Sequence, residues 1–563
     1  MEFLNRKNLK KSIIYTALFI SYGMSYAETN PLEQENIRLK HQQNLKLSTE
    51  GIQQAEQLNK ETSVKTSVDK NINQALPLIK NISIDTGIGV YLPEFNNIIS
   101  QYIGTNLTTT QVYNLSKDLT QALYQAGYVT SAIGLQTDTI TDGHIPFVVH
   151  WGKIDQLYVN GEQPKSFKDK GMLSVLPKLR EAPLNIFYID QLIETLNTTN
   201  KKVSVNVSAS DKTSYSNLDF LVKRSLFPTV QIGFNNSGTG NNANGRNQAT
   251  LALQASDLLG INDSWSFSTG YRFYKNPKAN NQINYSLSYS QPFSTYTLDT
   301  RLSQSGYEKK IKGETGSYST EGKTKSLNLK LSKVLMRNKE SIFSAYTELE
   351  FKKRTNFIVN RQVLNRNEYK INLGISYITQ LLGGRLYTDL NYANGLNWLN
   401  GKKLAYEQDR EKTLKTLSAN LTWSKHFAIK QRALNYQLRL GGQYSKDALY
   451  SENQFSIGDE YTVRGFKGGA LSGEKGIYAS QTLTLIFHPN KFYIQQIAPF
   501  IGFDIGQVYQ KAENNKEVIS GFAIGAKSTI GKFSLSLTYS RPLNTIDNQS
   551  KKPVIYANGS VSF

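Results

Sequence analysis

The sequence predicts a transmembrane β-barrel of about 16 antiparallel strands, preceded by two small α/β domains and an N-terminal helix. Three observations carry this expectation. From Pro228 to the carboxy terminus, apolar and polar residues alternate one by one, as in Ile283-Asn284-Tyr285-Ser286-Leu287-Ser288-Tyr289 and Phe533-Ser534-Leu535-Ser536-Leu537-Thr538-Tyr539, the period of a strand with two unlike faces. The polar positions are mostly Ser, Thr and Asn, suited to a wet lumen, where a soluble β-sandwich would show more charge and shorter strands. The chain also holds 33 tyrosines, and tyrosine belongs at a water–lipid boundary, where its ring is buried and its hydroxyl stays wet. A negative mean hydropathy is compatible with a barrel, because each strand shows lipid only every second residue.

The N-terminus reads as a secretory signal over residues 1–27. Arg6, Lys7, Lys10 and Lys11 form a basic segment, Ile13 to Ile20 an apolar one, and Ser25-Tyr26-Ala27 a small-x-small cleavage site between Ala27 and Glu28. The apolar run is shorter than the ~20 residues a helical span needs, and no later segment has such a run. A membrane-embedded mature protein must then be a closed barrel, because only helices and barrels satisfy the backbone in lipid. Residues 28–58 carry a weak helical periodicity through Leu32, Ile37, Leu39 and Leu45, with Pro31 placed as a first helical residue. Residues 59–75 are rich in Lys, Thr, Ser and Asn and read as a flexible linker; the same composition fits a disordered tail.

Residues 76–152 and 153–225 read as two units, each strand–helix–helix–strand–strand. In the first, Ile79 to Ile84 alternate, Thr108-Thr109-Thr110 offer N-caps to a helix through Leu115, Leu119 and Leu123 to Gly127, and strands follow around 129–136 and 145–151. In the second, Ile154–Val159 is a strand, a short helix spans Gly171–Leu179, Ile186–Asn197 is a helix, and Val203–Val207 and Leu218–Val222 are strands. Such a unit leaves a sheet edge able to accept an incoming strand. Residues 226–563 are the barrel, at roughly twenty residues per strand plus loop, which gives ~16 strands, an even number as in bacterial barrels. The last strand closes on Phe563, an aromatic end typical of proteins handled by the outer-membrane assembly machinery.

The formal charge is +21, but Lys and Arg are scattered through loops and polar strand slots, which points to a basic lumen or periplasmic face and to no nucleic-acid partner. The chain has no cysteine, so disulfide scaffolds and thiolate metal sites are excluded. The five histidines, His41, His144, His150, His426 and His488, show no ligand spacing and read as structural. No catalytic triad, carboxylate pair or nucleotide loop is present, and the chain calls for no cofactor. One pair of segments stands apart. Arg464 lies in Gln454 to Phe466, a stretch with glycines at 458 and 465 and, just beyond, at 468, 469, 473 and 476, able to fold back into a lumen. Asp504 shares a strand face with Gly502 and Gly506, while Ile501, Phe503 and Ile505 take the other face. With the large residues against lipid, Asp504 points inward with an empty slot on each side. Arginine suits a bidentate, permanently charged contact with a carboxylate, and such a pair inside a barrel suggests a regulated pore. The alternative from spacing is a solvated loop arginine and a lumen aspartate bonded to any neighbouring donor.

Val463-Arg464-Gly465-Phe466 resembles the loop motif, and Phe503-Asp504-Ile505-Gly506 the strand motif, of the two-partner secretion transporters of the haemolysin-activator and filamentous-haemagglutinin exporter type. Phe234-Asn235-Asn236-Ser237-Gly238 and Asp257-Leu258-Leu259-Gly260-Ile261-Asn262-Asp263 are similar to segments around that family's first barrel strands. Pro183-Leu184-Asn185, Leu192 and Leu196-Asn197 resemble its second periplasmic domain. One departure is the hairpin Ser208 to Ser214, which lacks the expected Pro-Gly and glycine. The resemblance implies a plug helix over 28–58, two periplasmic polypeptide-transport-associated (POTRA) domains, and a 16-stranded barrel in a Gram-negative outer membrane. It further implies an Arg464–Asp504 latch, and a partner exoprotein recognised through its N-terminal secretion domain and exported without ATP. A barrel-assembly insertase would share both motifs but would carry more periplasmic domains than the two that fit here.

Overall fold

The structure, a computed structural model, describes residues 31–56, 58 and 75–563 except 88–89, 91, 137–141, 226, 240–243, 314–315, 397–413, 490–492, 512 and 545–551. The signal segment, its Ala27–Glu28 cleavage site and nearly all of the linker lie outside the described residues. Helix α1 (Pro31–Ala55) comes first. At 1.5 Å per residue its 25 residues span about 37 Å.

The first domain holds β1 (Ala75–Leu78), β2 (Asn81–Asp85), α2 (Pro93–Ile99), β3 (Asn106–Thr108), α3 (Thr109–Gln125), β4 (Ala132–Leu135) and β5 (His144–His150). Its sheet runs β2-β5-β4, with β2 and β5 parallel; β1 and β3 pair separately. Helix α3 starts where Thr108 and Gln111 form a reciprocal capping box, and it buries Val112, Leu115, Leu119 and Leu123. Those side chains pack on Phe95, Ile145 and Phe147, all fully buried. The second domain holds β6 (Lys153–Val159), α4 (Phe167–Ser174), α5 (Ile186–Leu196), β7 (Lys201–Ala209) and β8 (Tyr215–Arg224), in sheet order β6-β8-β7. Helix α4 begins four residues before the expected start because Ser166 caps it, its Oγ accepting from the Asp169 N–H. The departing hairpin between β7 and β8 is held by side chains in place of Pro-Gly. Ser210 Oγ donates to Asp155 at 2.7 Å and Lys212 Nζ at 2.8 Å, and Ser214 takes a φ of 65°. These two donors hold the Asp155 carboxyl below the usual carboxylate range, Lys212 foremost. The two domains share a joint: Asn185, the N-cap of α5, donates to the Ala126 carbonyl at 2.9 Å, and Ile186 N–H donates to Gly127 O at 3.0 Å.

The barrel runs through β9 (Thr229–Asn235), β10 (Asn244–Ser256), β11 (Ser264–Tyr274), β12 (Asn281–Phe293), β13 (Tyr296–Gly313), β14 (Gly316–Arg337), β15 (Ser341–Ile358), β16 (Arg361–Leu381), β17 (Gly384–Gly395), β18 (Lys415–Ile429) and β19 (Arg432–Tyr444). A folded-in loop carries the short pair β20 (Phe455–Ile457) and β21 (Leu471–Gly473). Strands β22 (Lys475–Ile486), β23 (Ile494–Gln510), β24 (Asn515–Ile530), β25 (Phe533–Pro542) and β26 (Val554–Ser562) complete 16 antiparallel barrel strands, closed by β26 on β9. Closure leaves no unpaired edge for lipid to face. The alternation read from sequence maps onto two faces. Leu302, Leu373, Ile501, Phe503 and Leu537 stand exposed outside, whereas Asp504, Gln248 and Arg272 are buried within.

Candidate functional site

The lumen is occupied by two insertions, the loop between β19 and β22 and helix α1. The loop carries Arg464 to Asp504. Its Nε donates to Asp504 Oδ2 at 2.7 Å, its Nη2 to Oδ1 at 2.7 Å, and its backbone N–H to Oδ2 at 2.9 Å. Nη2 also donates to Gln481 O and Thr482 Oγ1. Asp504 is 0% exposed and Arg464 6%, so the pair sits out of water, unlike the wet lumen that the Ser/Thr/Asn composition implies. The flanking glycines of β23 make room for it: a Cβ on Gly502 would lie 2.2 Å from Arg464 Nη2, and one on Gly506 2.8 Å from Ile457 Cδ1. Gly465 adopts a φ of 110°, and its N–H donates to Tyr556 Oη, which itself donates to Phe466 O. On β24, Gly521 leaves space for the Arg464 carbonyl. Val463 and Phe466 lie with Ile457, Leu471, Val508 and Ile519 in a buried apolar cluster beneath the loop. Phe503 faces away, 43% exposed on the lipid side.

Helix α1 threads the lumen with its N-terminal turn among β10–β12 and its C-terminal end beside the turn of β16 and β17. Glu35, with a fully buried side chain, is its anchor. It accepts from Arg272 Nη2 at 2.7 Å, Asn284 Nδ2 at 2.9 Å, Gln248 Nε2 at 3.2 Å and Arg38 Nη2 at 2.6 Å. At the other end, Gln380 Nε2 donates to the Ala55 and Leu58 carbonyls, and Arg385 bonds Glu56 at 2.6 Å. Ile52, Ala55 and Leu58 pack on Ile342, Ile378 and Tyr387, and Gly51 lets the helix lie against the Tyr387 ring. The expected apolar stripe fits only in part: Leu32 is buried, but Leu39 is 36% exposed. The helix is anchored differently at its two ends: polar Glu35 is buried among lumen donors near the start, while Ile52, Ala55 and Leu58 are buried against apolar wall residues at the other end. The two insertions touch each other, with His41 Nδ1 2.6 Å from Asp459 Oδ2. Sequence reasoning missed Glu35, Arg272 and this use of His41. The one signal for Glu35 is an acidic residue in the first turns of an otherwise weakly patterned helix.

The second domain is seated on the barrel turns. Asp257 and Asp263 organise the β10–β11 turn, accepting from the N–H groups of Asn262, Leu258 and Leu259. Arg224 bridges Asp257 and Asp169 at 3.2 and 2.9 Å, and Lys201, 1% exposed, lies 3.4 Å from Asp257. Burial pushes the Lys201 ammonium down, with Asp257 opposing. Arg337 of β14 grips Glu194 of α5 bidentately at 2.7 and 2.8 Å. The seam is stitched by Asn236, whose side chain bonds the Ile555 carbonyl and the Ala557 N–H. Phe563 pairs its backbone with Val230, and its ring lies 5.2 Å below Lys532 Nζ.

Comparison with known proteins agrees with this architecture. Two solved structures share the fold: CdiB from Escherichia coli (TM-score 0.83, 20% identity, covering 96% of this chain and 100% of that one) and CdiB from Acinetobacter baumannii (0.77, 20%, 95% and 100%). Among curated relatives, the outer membrane transporter CdiB of Dickeya dadantii (strain 3937) is 24% identical over 83% of each chain. The hemolysin transporter protein HpmB of Proteus mirabilis is 24% identical over 77% of this chain and 76% of that one. Residues 78–152 match the ShlB-type POTRA domain. Residues 214–528, more than half of the sequence, match the haemolysin secretion/activation protein ShlB/FhaC/HecB, and this outer-membrane β-barrel chain belongs to that family.

Proposed function

We propose that the protein is the outer-membrane pore of a two-partner secretion pair, exporting one large exoprotein of the haemolysin, adhesin or contact-dependent inhibition toxin type. The observation that carries this reading is a closed barrel filled by a helix held through side-chain contacts. Such a helix can leave without breaking any barrel hydrogen-bond ladder, and its departure opens a conduit. The cargo presents its N-terminal secretion domain, unfolded, to the periplasmic domains, threads the lumen once α1 has left, and folds outside; that folding supplies the drive. Arg464 and Asp504 act as a latch that keeps the folded-in loop against the wall of β23. The protein performs no catalysis in this reading, and the barrel-assembly machinery inserts it through the Phe563-terminated strand.

The test is secretion by paired expression. A cell carrying the chain and a candidate partner exoprotein should release the exoprotein to the medium, and removal of this chain should strand it in the periplasm. Unchanged release together with depleted outer-membrane barrels would overturn the reading in favour of an insertase.

A further inference from the structure

Outward-facing aromatic residues mark the lipid boundaries on the wall made by β13–β16. Phe343 is paired with Tyr377 near the periplasmic end, and Phe351 with Tyr369, rings 5.6 Å apart, near the other. Between them the outward positions on β15 and β16 are Ala345, Thr347, Leu349, Leu373, Ile375 and Ile371. The interval is eight residues, roughly 20 Å along the membrane normal for strands rising ~3.3 Å per residue and tilted ~40°. The next outward pair beyond the outer girdle is Lys353 against Asn367, and on the neighbouring strand Lys353 stands directly opposite Lys325. Lys323 follows two residues on, on the same face. All three lysines are exposed, and none makes a salt bridge among the described residues. Like charges directly opposite on a sheet are destabilising, and this pair sits where the outer-leaflet headgroups lie. Glu308 and Glu321, paired with each other, stand one step further from the membrane, and separate the three lysines from the exposed Lys310 beyond them.

We propose that Lys323, Lys325 and Lys353 form a docking site for the phosphate groups of the outer-leaflet glycolipid, lipid A. The acyl chains lie along Leu327, Leu349 and Phe351, and the opposed ammonium groups take the place of a divalent cation in neutralising the phosphates, which accept from them. The site orients and steadies β13–β16, the wall whose strands are among the longest in the barrel.

The experiment uses the full chain in detergent, with bisphosphorylated lipid A, dephosphorylated lipid A and EDTA. Wild type should bind bisphosphorylated lipid A and melt at a higher temperature with it, and EDTA should leave both effects in place. The triple variant K323Q/K325Q/K353Q should bind on the order of a hundredfold more weakly, from about fivefold per lysine, whereas K333Q at the opposite girdle should bind as wild type. Equal binding of dephosphorylated lipid A by wild type would overturn the proposal even without variants. So would loss of lipid on EDTA, which would mean metal bridging, or unchanged binding by a folded triple variant.

Discussion

Arg464→Ala should nearly abolish secretion while the barrel still inserts. The magnitude follows from burial. Removing one partner of a buried pair costs about 3–5 kcal/mol, because the other charge is left uncompensated, whereas an exposed pair is worth about 0–1. Asp504 is 0% exposed, which places this pair near the buried limit. The Arg464 backbone N–H, 2.9 Å from Oδ2, survives in the alanine variant and offsets part of the cost. A net of about 3 kcal/mol shifts the docked loop by on the order of a hundredfold. The barrel ladder lies elsewhere and should keep its resistance to heat in detergent. Loop position is measurable because the chain has no cysteine: A470C should resist a membrane-impermeant thiol reagent in the otherwise wild-type chain and react in the Arg464→Ala background. Asp504→Ala should behave alike, and the double variant should be no worse than either single one. Strictly additive losses across that cycle would refute the idea that the two residues work as one latch.

Further outcomes are expected. Glu35→Gln leaves Arg272 buried without its carboxylate, so planar-bilayer recordings should show longer open times; removal of 28–58 should give a larger or longer-lived conductance, and no change would make α1 a passive tail. Mass spectrometry of the extracted protein should find a chain starting at Glu28, and an intact Met1 would contradict the signal reading. Deleting Phe563 should lower the amount of barrel in the outer membrane more than secretion per inserted molecule, since its backbone closes on Val230. Asp155 is held below the usual carboxylate range by Lys212 and Ser210, so its grip on the 210–214 hairpin is complete above the ordinary carboxylate value and is lost as pH falls through the lowered one. Exchange of those amides, corrected for intrinsic rate, should be the same at pH 7 and pH 5 and rise only below about pH 4, whereas Asp155→Asn should show the fast exchange at pH 7.

Much of the architecture was legible because it rests on local periodicities. Strict alternation marks strands wherever they pair, and the cap offered at Thr108 marks the start of a helix. Glycines at 502 and 506 beside an aspartate already describe a slot in a strand. The weakly patterned stretch at 31–55 is harder, because a helix in a polar lumen need not carry an apolar stripe. Its anchor depends on Arg272, Gln248 and Asn284, residues over two hundred positions away that look like any other polar lumen residues in their strands. The burial of the Arg464–Asp504 pair was likewise closed to the sequence. The motif supplies the two charges, but their isolation from water depends on Tyr556 and Gly521 arriving from separate strands. The strand pattern, the lumen-facing carboxylate and the permissive loop could be read from the chain, since these are properties of neighbours along it. What the lumen holds and how dry it is emerge with the folded barrel, because closure brings distant strands together around groups whose charge must be paired once water is excluded.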